Sequence, residues 1–127
     1  MSYRLETADI DPIAITTRDT GGAHVVTVSG EIDVYSGSRL RVTLSEVIDA
    51  NAGRAVVVDL TSVTLLSSTG CAVLVDALRQ AQLRRCPFAL VVDHGSRAVP
   101  LTLHAAGLMN HFTTFGDVEE ARRSAAA

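Results

Sequence analysis

The stretch RAVVVDLTSVTLLSSTGCAVLVDAL, residues 54 to 78, decides how this 127-residue chain folds. Its first seven residues carry a continuous β-branched run, the pattern of a central strand buried on both faces rather than one lying half in water. From residue 70 to residue 85 apolar residues return at helical spacing, with Cys71, Leu74, Val75 and Leu78 on one face and Asp76, Arg79 and Gln80 on the other. A buried strand followed by an amphipathic helix implies a sheet with helices packed on it. Between the strand and the helix stand three hydroxyls in a row, Ser67, Ser68 and Thr69. They fall at the helix N-terminus, where the first backbone N–H groups lack partners.

The flanking sequence extends this pattern in both directions. IAITTRD (13–19) and HVVTVSGEI (24–32) are β-rich runs separated by the glycine turn TGG (20–22), which predicts a hairpin. Leu40, Leu44, Val47 and Ile48 share one face of a helix expected over 36–50, and NAG (51–53) stops it. On the C-terminal side PFALVVDH (87–94) reads as a fourth strand. Ser96 then opens a short helix with Pro100 in its early turns, Val99, Leu103 and Ala106 on its inner face, and Gly107 just past its end. HFTTFG (111–116) predicts a short last strand, and Asp117 with Glu120 has the D-x-x-E spacing of a cap for a final helix. The expected organisation is an N-terminal arm over 1–12, one α/β domain over 13–124 and a frayed tail over 125–127.

Composition removes several function classes. With 47% hydrophobic, 20% charged and 4% aromatic residues, the chain can bury one core built from aliphatic side chains. A net charge of −3, with Arg84/Arg85 and Arg122/Arg123 as the only adjacent basic pairs, argues against a nucleic-acid surface. All 11 basic residues are arginine, so chemistry that requires a lysine amine is excluded. The N-terminal sequence lacks the apolar core of a signal peptide and no run is long enough to cross a bilayer, so a cytoplasmic protein without membrane contact is expected. Cys71 and Cys86 lie in apolar segments without metal-site spacing and read as buried thiols. His94, His104 and His111 have no ligand or triad spacing, and the nucleophile elbow G-x-S-x-G is half missing, because Leu66 stands two residues before Ser68. No catalytic residue, metal or cofactor is therefore expected.

The three hydroxyls admit two readings. One of them caps the helix, worth on the order of 1 kcal/mol, while the others face solvent or the loop. Alternatively they form a modification site: no acid lies in the first helical turn, so the positive end of the helix dipole is open and suits a phosphate. Phosphorylation of Ser68 would add about two negative charges to a small exposed knob without unfolding the domain.

The segment VVVDLTSVTLLSSTGCAVLVDAL (56–78) resembles the centre of STAS domains, specifically the small stand-alone anti-sigma factor antagonists. VTVSGEIDVYSGSRLR (26–41) is similar to that family's strand, Gly-Glu-Leu/Ile-Asp step and helix, and FALVVDHGSRAVPLTLHAAGLMNHFTTF (88–115) to its later strand, helix and last strand. The resemblance implies a single STAS domain with a four- to five-stranded mixed sheet and about four helices mainly on one side. It implies an anti-sigma factor antagonist that is not an enzyme. Unphosphorylated, it would bind an anti-sigma factor with serine kinase activity and free a sigma factor, and phosphorylation by that partner would break the complex. A phosphatase would be a further partner. Ser68 falls on the phosphoacceptor, Thr69 on the hydroxyl residue after it, and Gly70 on the glycine that opens the helix. Asp33 falls on an acid of the strand-to-helix loop near this site, although it also reads as a cap for the first helix. Ser67 replaces the acid that usually precedes the phosphoacceptor and is a second candidate acceptor. Asp33 and residues 67–70 are thus the expected partner-binding residues. An unswitched STAS scaffold or weak nucleotide-binding module is the alternative.

Overall fold

The computed structural model describes residues 13–95 and 97–126, so the expected arm over 1–12, Ser96 and the last residue of the expected tail lie outside the described residues. Five strands, β1 (Ile13–Asp19), β2 (Ala23–Ile32), β3 (Ala55–Leu66), β4 (Phe88–Val91) and β5 (Thr113–Phe115), form one mixed sheet in the order β1-β2-β3-β4-β5. The hairpin β1–β2 is antiparallel and every other neighbouring pair is parallel. Helices α1 (Val34–Ala50), α2 (Ser68–Leu83) and α3 (Ala98–Ala105) connect the parallel strands, and α4 (Val118–Ala126) follows β5.

The β-branched run accounts for the layering. Val56 and Val58 point into the larger core with Leu40, Leu44 and Ile48 of α1, Leu74 of α2 and Leu103 of α3. Val57 points the other way, into a smaller cluster with Val25, Val91 and Ala121 of α4. Among the described residues three helices thus cover one face and one the other, as expected for this α/β class. Cys71 and Cys86 are both buried and free, and burial pushes the Cys71 thiol up. At the opposite end of the sheet from the hydroxyls, Arg54 holds the hairpin turn by donating to Asp19 Oδ1 at 2.8 Å and to Gly21 O at 3.2 Å. This contact holds the Asp19 carboxyl down at about 2.

Several expected boundaries are corrected. The largest correction is in β3, which does not end at Leu60 but runs to Leu66. Its parallel pairing with β2 continues through Ser29↔Ser62, Gly30↔Val63, Glu31↔Leu65 and Ile32↔Leu66, with register shifts between Thr27 and Ser29 and between Gly30 and Glu31. At the first shift Asp59 Oδ1 accepts from the Thr61 N–H and hydroxyl, and at the second Gly30 has φ +100°. Such bulges break the period-two alternation, so TSVTLL does not look like a strand in sequence. The strand β4 ends three residues earlier than expected, at Val91, and Asp93 turns the chain by accepting from Gly95 N. β5 is likewise shorter than its predicted span. Ala106, expected on the inner face of α3, is the exposed residue that closes the helix. The Asp117–Glu120 cap is formed at 2.7 Å.

Candidate functional site

Strands β2 and β3 run parallel, so the N-termini of α1 and α2 emerge from the same edge of the sheet. Asp33 leaves β2 and caps α1: its Oδ1 accepts from Tyr35 N at 2.9 Å and from Ser36 N at 2.8 Å. Ser36 answers by accepting from Asp33 N at 2.9 Å while its hydroxyl donates to Glu31 O. These bonds, the one from Ser36 N first, lower the Asp33 carboxyl below its ordinary value. The helix therefore begins at Val34, two residues before its predicted start, and the capping reading of Asp33 is the one realised within the chain.

Ser67 leaves β3 and caps α2, its hydroxyl accepting from Gly70 N at 3.1 Å. Its own N–H donates to Ile32 O at 2.9 Å, tying the end of β2 to the start of α2. The helix thus starts at Ser68 rather than Gly70. Ser68 is exposed, and among the described residues no hydrogen bond engages its hydroxyl. Thr69 is half-buried and faces α1. One hydroxyl of three is committed to capping, and the next is free.

Two glycines bring the helix starts together. A Cβ on Gly70 would lie 2.6 Å from Leu66 Cδ1 and 2.7 Å from Ile32 Cγ2, distances no side chain tolerates. A Cβ on Gly37 would lie 3.1 Å from Thr69 Cγ2 and 3.8 Å from Val73 Cγ2, so the first turns of α1 and α2 are in contact there. Val73 accordingly faces the core, whereas Ala72 beside it is exposed. The pairs Arg41–Asp76 and Arg84–Asp49 hold the same two helices together further along.

Sequence patterning did not reveal the apolar rim of this edge. Val34 is 64% exposed, Tyr35 85% and Leu65 45%. The available signal was that Val34 and Tyr35 fall off the Leu40–Leu44–Ile48 stripe of α1, while Leu65 is adjacent to the buried Leu66 on a strand whose faces alternate. The edge therefore carries an unbonded hydroxyl, two helix N-termini without acids in their first turns and three exposed apolar side chains. Such a surface is chemically suited to binding a partner, and its charge would be changed sharply by one phosphate. Among the described residues no cluster of histidine, cysteine or acid is arranged to hold a metal, and no helix is long and apolar enough to cross a membrane.

Comparison with known proteins agrees with this architecture. The family model of the STAS domain matches residues 14–121. The anti-sigma-F factor antagonist RsfB of Mycobacterium tuberculosis is 31% identical over 111 residues, covering 87% of this chain and 88% of RsfB. The crystal structure of an anti-sigma factor antagonist from Mycobacterium paratuberculosis superposes with TM-score 0.81 at 26% identity, covering 91% of this chain and 95% of the other. The Bacillus cell fate determinant SpoIIAA in its phosphorylated form shares the fold, with TM-score 0.63 at 15% identity over 87% of this chain and 99% of its own. The chain belongs to the STAS domain family and is a homologue of anti-sigma factor antagonists.

Proposed function

We propose that this STAS domain is a cytoplasmic anti-sigma factor antagonist switched by phosphorylation of Ser68. In its unphosphorylated form it binds an anti-sigma factor that is also a serine kinase, and a sigma factor is released. Phosphorylation by that partner ends the complex, and a phosphatase restores it. The observation that carries this reading is the division of labour between neighbouring hydroxyls: Ser67 is engaged as the cap of α2, whereas Ser68 is exposed, unbonded and beside the rim of Val34, Tyr35 and Leu65. The names of RsfB and of phosphorylated SpoIIAA support the two halves of the proposal, antagonism and modification.

The switch follows from electrostatics. A phosphate on Ser68 meets the open positive end of α2 and its unpaired first-turn amides, so the folded domain tolerates it. A partner that had covered the neutral knob and its apolar rim must then desolvate about two negative charges. A change of about 3 kcal/mol weakens a complex by roughly a hundredfold, enough to empty it. The Ser67 oxygen already accepts from Gly70 N, whereas that of Ser68 is unbonded, which supports Ser68 as the acceptor. Ser67 also stands where the resembling family carries an acid, and this favours a second reading, an unswitched scaffold or weak nucleotide binder.

Intact-mass spectrometry with peptide mapping, after incubation with ATP and the anti-sigma kinases of the same genome, tests the proposal. One added phosphate on Ser68 is the expected result. Partner capture without any added phosphate would replace the switch by the scaffold reading.

A further inference from the structure

The helix α3 presents a second, unrelated site. A shallow, open cavity of about 310 Å³ is lined by the exposed His94, Arg97, Leu101 and His104 and the half-buried Pro100 and Met109. We infer that it binds a small organic oxyanion, a carboxylate or phosphate monoester carrying a short apolar arm.

Its chemistry is one-sided. Arg97, His94 and His104 bring nitrogen donors, and among the described residues no carboxylate lines the cavity, although the chain as a whole carries a net charge of −3. Arg41, Arg54, Arg79, Arg84 and Arg122 each meet an acid, whereas among the described residues Arg97, like Arg85, does not. Among the described residues the side chains of His94, Arg97 and His104 have neither an ion pair nor a hydrogen bond. Asp93, close in sequence, is turned to its own loop and accepts from Gly95 N.

Of the lining residues only Met109 packs against the core. Val99 and Leu103 anchor α3 in the core, whereas Arg97, Leu101 and His104, spaced i, i+4 and i+7, form an outward stripe on which Leu101 is 62% exposed. Arg97 begins the helix at φ +63°, in the left-handed region, and its side chain makes no cap bond. An oxyanion beside Arg97 would therefore also meet uncapped amides. Pro100, Leu101 and Met109 supply the wall for the apolar arm, Met109 with a pliable thioether. The volume lies at the lower end of the roughly 300–1,000 Å³ typical of small-molecule sites, which points to a compact ligand.

Two-dimensional amide NMR of the whole chain, titrated with hexanoate and with phenyl phosphate, tests the site directly. Hexanol, phenol, acetate and inorganic phosphate serve as the probes lacking either the charge or the arm. Saturable shifts at His94, Arg97, Leu101 and Met109 with at least one of the two acids are expected, with the other probes binding at least about tenfold more weakly. Arg97→Asn, whose new side chain tolerates the left-handed backbone, should weaken the acid at least tenfold while the rest of the spectrum stays folded. Ser68→Ala should leave the titration unchanged, so the result stands apart from the switch. Absence of saturable shifts with both acids overturns the inference, as do equal shifts from the matching alcohol or an Arg97→Asn titration that matches wild type.

Discussion

The starts of α1 and α2 lie side by side at one edge of the sheet, yet they are finished differently. A carboxylate closes α1: Asp33 takes two amides, and Ser36 returns a bond in a complete capping box. A single hydroxyl closes α2, and the residue after it keeps its own hydroxyl for solvent. The first arrangement is a structural joint with its charge already in place. The second leaves room for a charge to be added. A helix N-terminus by itself says little about function; what distinguishes this one is an accessible hydroxyl beside exposed apolar side chains.

The close approach of the two helix starts is most sensitive at Gly70. Replacing it with alanine forces a Cβ against Ile32 and Leu66, and urea denaturation should show a loss of about 2–4 kcal/mol. Gly37→Ala at the α1 side should cost less, because Thr69 can yield a few tenths of an ångström, and combining it with Thr69→Ser should recover most of the loss. An undiminished loss in that double variant would contradict the close approach of the two helix starts.

Next in size is the charge effect. Ser68→Asp should weaken binding of the cognate anti-sigma factor by about a hundredfold in titration calorimetry, with stability unchanged to within about 0.5 kcal/mol. Ser68→Ala should bind like wild type. Binding by the aspartate variant at wild-type strength would remove the charge switch.

The two caps can then be separated by pH and by exchange. The Asp33 carboxyl is held below its ordinary value of 3.8, so its contribution is complete above the unfolded value and is lost as pH falls through the lowered folded value. Acid unfolding of Asp33→Asn should lack that part of the slope, whereas Ser67→Ala should lower stability by about 1 kcal/mol at every pH. The smallest expected effect belongs to Ser67→Asp, which gives α2 the kind of cap α1 has. It should raise stability by up to about 0.5 kcal/mol, measured by thermal unfolding. A fall instead would show that the acid does not fit this turn.

Local pattern carried much of the architecture. The run at Val56–Val58 showed a strand buried on both faces, the Leu40–Leu44–Ile48 spacing showed α1, and the three hydroxyls marked the edge at which α2 begins. What it missed had a common cause. The continuation of β3 through Val63 and Leu66 depends on pairing with residues 29–32, more than 30 positions away, and two register shifts hide its alternation.

The α/β class, the order of strands and helices, the exclusion of lysine chemistry and the place of the hydroxyl cluster are legible in the residues alone, because periodicity, residue type and turn residues act over a few positions. That Ser67 caps α2 and leaves Ser68 free, that Asp33 is spent on its own helix, and that Val34, Tyr35 and Leu65 are exposed at the same edge emerges from the folded arrangement. It likewise decided that His94, Arg97 and His104 share one cavity. Those outcomes depend on which chain ends the parallel pairing brings together and on how closely Gly37 and Gly70 let two helices approach, and neither is a property of neighbouring residues.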